Sequence, residues 1–187
     1  MPQAKTDSRE RLINAAIKLA YQHGFGKSSL AHIAKEAEVP LGNIYYYFKT
    51  KDELGEAIVE RRLAQMQARR MEWDEITSPK ERLCFCINQV SESRDLLASG
   101  GCAVGTFCSE LQKTDNALAK KASAIFVQHL EWLETQFRLM GKTKDAHILS
   151  LHLLSALQGV AFLAYSLRSP EFVTLETDRL KEWVRSL

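Results

Sequence analysis

The chain has 187 residues, 45% of them apolar, and a net charge of only +2. That is enough for one or two small domains with a real core, and the charge alone points to no class of partner. The four cysteines show no metal-ligand spacing, and there is no Gly-rich phosphate loop and no Ser/His/Asp arrangement. A zinc site, a cofactor site and a catalytic constellation are therefore not expected.

Apolar residues recur at helical spacing over most of the chain, and no strand-like alternation stands out, so the reading is all-α with about nine helices. The first helix is expected over 8–23, with Asp7 and Glu10 as a capping box and Gly24 as its stop. A short helix follows at 29–36, capped by Ser28 or Ser29. Another lies at 40–46, where Pro40 suits a first turn. Thr50 and Glu53 make a second capping box and open a long helix over 51–73. Ser78-Pro79 starts a fifth helix running to about 98, and Ser99-Gly100-Gly101 breaks it. A short helix is expected at 103–112, then long ones at 115–140, 144–167 and 171–186, separated by Gly141 and Pro170. The domain boundary is placed inside the fourth helix, giving domains 1–55 and 56–187.

Residues 1–51 carry eight Lys and Arg against four Asp and Glu, a local balance of +4, while the remainder is at −2. The basic excess coincides with the stretch "VPLGNIYYYFKTKDEL" at 39–54. On a helix, Tyr45, Tyr46 and Tyr47 point about 100° apart, so they cannot share one core face. Ile44 and Phe48, four apart, take the inward side. Tyr45 is left to face a groove, and Tyr46 and Tyr47 can donate their hydroxyls to phosphates. Lys51, in the first turn of the next helix, adds an ammonium beside backbone N–H groups. Gly42 lets the backbone come close to a partner. Two short helices joined by "EAEVP" have the layout of a helix-turn-helix unit, its second helix reading the major groove.

With Ile13…Ala16, Gly24, Ser28-Ser29-Leu30, Ile33-Ala34, Val39, Gly42, Ile44 through Phe48, Lys51 and Leu54 in this order, residues 8–58 resemble the TetR family of one-component transcriptional regulators. The resemblance implies an N-terminal three-helix DNA-binding domain and a C-terminal helical domain for ligand binding and dimerisation. It also implies a homodimer on a palindromic double-stranded operator, released by a small molecule. Carried over by position, Ser29, Ala31 and His32 lie near phosphate or groove, Leu41, Gly42, Asn43 and Tyr45 at base-facing positions, and Tyr46, Tyr47 and Lys51 at phosphates. Asn43 has the polar side chain able to pair with a base edge. Two residues depart from the pattern: Glu38 stands where the turn usually has glycine, and Pro40 replaces a serine cap.

Residues 147–167 are apolar almost all round, as in a helix buried on every side. With the last helix they are read as a four-helix interface between two subunits, formed by the eighth and ninth predicted helices. The resemblance places an effector among the middle helices. Helical phase there selects Phe85, Gln89, Phe107, Ile125, Phe126, His129, Trp132, Leu133, Gln158 and Phe162, a set suited to an apolar or aromatic ligand. "GGCAVGTFCSEL" at 100–111 sets Cys102 at or before a helix N-terminus, where a thiolate is favoured. A thiol-based repressor responding to oxidant or electrophile is the alternative reading. No secretory signal and no membrane span are expected, 148–167 being interrupted by Ser150, His152, Ser155, Gln158 and Ser166, so the reading is a cytoplasmic protein that is not an enzyme.

Overall fold

The computed structural model describes residues 2–113 and 117–187, with side chains from Asp7 onward. It contains ten helices among the described residues: α1 (Pro2–His23), α2 (Leu30–Glu36), α3 (Leu41–Tyr47), α4 (Lys51–Asp74), α5 (Pro79–Glu92), α6 (Arg94–Gly100), α7 (Ala103–Gln112), α8 (Ala117–Leu139), α9 (Ala146–Leu167) and α10 (Pro170–Ser186). The expected start of the seventh predicted helix near 115 lies outside the described residues. The chain forms two compact units, one of Met1–Ala64 with Ala103–Ile125, the other of Gln65–Cys102 with Phe126–Leu187. Two of the three points where the chain passes between units fall inside long helices, α4 and α8, and the third lies between α6 and α7. The sequence boundary near 55 therefore lies within the first unit.

In the first unit, α1 begins earlier than its expected cap. Asp7 is already helical and faces Arg11 at 4.0 Å. Pro2 at the start, followed by helix-compatible residues, lets the helix begin there without a side-chain cap. Glu10 closes no capping box and instead pairs with Arg61 of α4. Of the second box the cap forms, Thr50 Oγ1 accepting from Glu53 N at 3.1 Å, while the Glu53 carboxylate reaches one residue past the cap and accepts from Lys49 N at 2.7 Å. The core gathers Leu12, Ile13, Ala16, Phe25, Ile33, Ile44, Phe48, Leu54 and Ile58 with Phe107, Leu118 and Ile125, all buried. Phe25 meets Phe107 edge-on at 5.2 Å. At Gly55 the helices come so close that a Cβ would sit 2.5 Å from Leu118 Cδ2 and 3.1 Å from the Phe25 ring, so α4 needs a residue without a side chain there.

In the second unit, Ser78 caps α5 and Ser169 caps α10, each followed by proline at the first helical position. The predicted fifth helix is two: its run is broken at Ser93, whose hydroxyl donates to Gln89 O at 2.9 Å. Such back-bonding competes with the helical ladder, and the chain restarts as α6. Leu83, Ile87, Leu133, Phe137, Leu153 and Val184 form the main core where α5, α8, α9 and α10 pack.

Helix α9 buries one side only. Ser150, Leu153, Leu157, Val160, Ala161 and Ala164 face inward, while Ile148, Leu151, Phe162, Leu163 and Leu167 are exposed. An all-round apolar composition does not say which side its own chain covers; the expectation of burial on every side included a second subunit, and a single chain supplies one side of it. By length and composition α9 is also apolar enough to cross a membrane. The polar residues interrupt it less than the sequence suggested, because Ser150 and Ser166 donate to carbonyls of their own helix, His147 O and Phe162 O, at 2.8 and 2.9 Å.

Candidate nucleic-acid interface and an internal cavity

Helix α2 starts where Ser29 Oγ accepts from His32 N at 3.1 Å, so Ser29 is its cap. Ser28 is buried and donates to Gly24 O at 3.2 Å. The helix ends in a left-handed residue: Val39 N bonds Ala34 O at 2.9 Å and Glu38 N bonds Lys35 O at 3.1 Å, with Glu38 at φ 51°. This is the helix end usually completed by glycine, reached here with a side chain present. Arg11 compensates, its Nη2 donating to Glu38 O at 3.0 Å and lying 3.4 Å from the Glu38 carboxylate. The same bond draws the negative charge toward α1.

Pro40, extended at ψ 137°, stands just before α3 rather than in its first turn. From there α3 divides cleanly. Ile44 is fully buried and Phe48 nearly so, with the Arg9 guanidinium 5.4 Å from the Phe48 ring centroid. Leu41, Gly42, Asn43, Tyr45 and Tyr46 are exposed, Tyr46 at 64%. Tyr47 is half-buried and meets Tyr46 edge-on at 5.1 Å. Nothing would touch a Cβ placed on Gly42. Ala31 and His32 are exposed at the start of α2. The expected reading surface is therefore a real surface held by two buried anchors.

Lys51 is tied more tightly than the sequence suggested. Its Nζ donates to Gly26 O at 2.9 Å and lies 4.8 Å from the Phe25 ring centroid. Partial burial lowers its pKa, opposed by the carboxylates of Glu110 and Asp52. Glu110 in turn accepts from Phe25 N at 2.7 Å and Gly26 N at 2.6 Å. Sequence reasoning missed Glu110 as the residue that holds the 24–27 turn. Its partners are backbone groups some 85 positions away, which leave no trace in local pattern.

The second unit encloses a cavity of about 230 Å³. Of the ten predicted ligand residues, Gln89, His129 and Gln158 line it, and so does Cys102. The other seven do not. Phe85 is half exposed in a shallow hollow beside Cys84 and Arg185. Phe107 and Ile125 belong to the first unit. Leu133 is core, Trp132 packs against Trp73 at 5.2 Å, Phe126 is half-buried elsewhere, and Phe162 is 68% exposed. Helical phase marks a face, but α8 passes from one unit to the other between Ile125 and Phe126, so one stripe serves two cores. The missed lining residues include Met66, Arg69, Arg70 and Trp73 of α4, and Leu97 and Leu157. A pair of arginines on an otherwise amphipathic helix was the available signal.

Arg70 Nη2 lies 3.4 Å from His129 Nδ1, and His129 Nε2 lies 3.9 Å from Cys86 Sγ. Arginine only donates, so Nδ1 accepts and the ring proton is on Nε2. Burial, reinforced by Arg70, lowers the His129 pKa to about 4, and burial pushes the Cys86 thiol up to about 12. Both are therefore neutral at physiological pH. Asp74 lies within electrostatic reach of Arg70, but its carboxylate is already engaged by Arg82 at 3.6 Å and by Trp132 Nε1 at 3.4 Å.

The described residues are helical apart from their turns, and α2 and α3 have the layout of a helix-turn-helix pair whose second helix faces solvent. Residues 12–58 match the bacterial regulatory proteins of the tetR family. Over 63 residues, 34% of this chain and 32% of the relative, it is 40% identical to the HTH-type transcriptional repressor NemR of Escherichia coli. Over 126 residues, 66% of this chain and 63% of the relative, it is 30% identical to the fatty acid metabolism regulator protein of Bacillus subtilis. The chain spans about a third of the length of several curated relatives it matches. The fold extends further: the crystal structure of the transcriptional regulator FadR from Bacillus subtilis, in complex with stearoyl-CoA, superposes with a TM-score of 0.73 at 23% identity, covering 94% of this chain and 96% of that one.

Proposed function

We propose that this chain is a transcriptional repressor that binds a palindromic operator as a homodimer and is released by a small apolar or aromatic ligand in the second unit. The carrying observation is the division of α3: Ile44 and Phe48 are buried while Leu41, Asn43, Tyr45 and Tyr46 face solvent. In this reading Asn43 pairs with a base edge, Leu41, Gly42 and Tyr45 lie along the groove, and Ser29, Ala31, His32, Tyr46, Tyr47 and Lys51 follow the phosphates. Lys51 keeps two ammonium protons for a phosphate after its bond to Gly26. The DNA-binding function is confined to residues 1–55, and the chain acts in the cytoplasm without catalysing a reaction.

The homodimer forms through α9 and α10. Ile148, Leu151, Ser155, Gly159 and Phe162 fall at steps of three or four residues along α9, and nothing lies within 4 Å of a Cβ at Gly159. Such a stripe lets a second copy approach closely. Release is mechanical: α4 carries Lys51 and Leu54 near its start and Met66, Arg70 and Trp73 of the cavity lining further along. A ligand that fits one setting of α4 better shifts the DNA-binding units away from successive major grooves, which lie about 34–36 Å apart.

Duplex binding in a random-sequence selection, followed by titration against salt, tests this reading. Affinity should fall steeply as salt rises. Tyr47→Phe should weaken all sequences alike, and Asn43→Ala should relax preference at one operator position. Absence of duplex binding at low salt would refute it. A second reading keeps the fold and the operator but assigns release to Cys102, and what favours it is that this thiol lines the same cavity. Cys102→Ala that still releases DNA on treatment with peroxide or an electrophile would remove the thiol from the mechanism.

A further inference from the structure

The cavity has a charge that an apolar ligand does not need. Arg69 and Arg70 both line it, and among its lining residues there is no Asp or Glu. Arg70 makes one contact to a side chain at hydrogen-bond range among the described residues, the long 3.4 Å approach to His129, and its Nε is buried with no partner. A guanidinium half withdrawn from solvent with one long acceptor and no charge partner in contact is costly, and a buried donor left unmade costs more than an ordinary hydrogen bond contributes. Nothing in the cavity lining can neutralise it. Asp74 is taken by Arg82 and Trp132, Cys86 is a neutral thiol, and His129 is a neutral ring.

We infer that the effector of this cavity is a compact carboxylate with an apolar or aromatic body, its head group held by Arg70. The inference rests on the effector reading above and adds the ligand's charge to it. A planar carboxylate matches the guanidinium fork and supplies the charge partner that Arg70 lacks. The rest of the lining, Trp73, Leu97, Leu154, Leu157 and Ala161, is apolar and suits the body. A volume of about 230 Å³ lies below the roughly 300–1,000 Å³ of most drug-sized sites, which favours a small acid over a long one.

Trp73 lines the cavity, so binding is read as a change in tryptophan fluorescence of the full chain, with calorimetry in parallel. The probes are benzoate and phenylacetate, each against its uncharged amide, benzamide and phenylacetamide. In the wild type the acids should bind at least tenfold tighter than the amides. Arg70→Met should abolish that preference while changing amide affinity less than twofold, and Arg70→Lys should retain part of it. Equal binding of acid and amide by the wild type overturns the inference and leaves an apolar effector cavity standing. So does an acid preference that survives in Arg70→Met. If neither class binds at millimolar concentration, the effector reading falls and this inference with it. Should Arg70→Met fail to fold, the wild-type comparison and Arg70→Lys decide the matter on their own.

Discussion

Glu38 shows how one side chain can sit against its backbone. A non-glycine residue in the left-handed region costs about 1 kcal/mol or more, and Glu38 adopts it at φ 51°. Arg11 binds mainly the Glu38 carbonyl, a bond that glycine would keep. Glu38→Gly should therefore stabilise the chain by up to about 1 kcal/mol, read as a higher denaturant midpoint with unchanged slope. It should also tighten DNA binding by removing a carboxylate beside α3. His129 is the converse, a comfortable side chain with a pH cost. Its pKa is near 6.5 unfolded and about 4 folded, so between those values the unfolded state binds the extra proton. Stability is full above about pH 6.5 and falls by about 3 kcal/mol as pH drops to 4, since each pH step of one between the two pKa values is worth about 1.36 kcal/mol. Melting temperatures measured from pH 7 to 4 should decline less steeply in His129→Gln.

At the scale of elements, α3 and α9 make the same kind of statement, each an amphipathic helix with a side left to a partner. On α3 that side is polar and aromatic, as a groove requires. On α9 it is aliphatic and aromatic, with Phe162 68% exposed and Ile148 67% exposed. Exposing such a stripe in a monomer is unfavourable by roughly 25 cal/mol per Å² of apolar surface left in water. Phe162→Glu should convert dimer to monomer in light scattering, with helix content unchanged, and should weaken operator binding far more than half-site binding. Phase alone served on α3 because Ile44 and Phe48 are the residues there that go fully inward. It failed on α8, whose single stripe supplies Leu118 and Ile125 to the core of one unit and Leu133 and Phe137 to that of the other, so ligand candidates were drawn from both.

For the whole molecule, the proposed repression and release are one equilibrium seen from two sites. If an effector weakens operator binding by a given factor, operator must weaken effector binding by the same factor. Measuring ligand affinity with and without saturating operator DNA, and operator affinity with and without saturating ligand, should return equal ratios. A mismatch would mean that the two events are not linked through a single pair of states.

Local chemistry alone determined the helix-turn-helix unit: Ser29 and Thr50 as caps, Ile44 and Phe48 as anchors and the solvent-facing aromatics are all properties of residues a few positions apart. At Glu38 the resemblance marked only a position usually held by glycine, and the structure shows the left-handed conformation kept with a side chain present, at φ 51°. What only the tertiary structure decided was where distant groups meet. Glu110 closing the 24–27 turn and the cavity that brings Arg70 beside His129 and Cys102 depend on helices far apart in sequence. Periodicity records which face of a helix is apolar and carries no information on which neighbour that face receives.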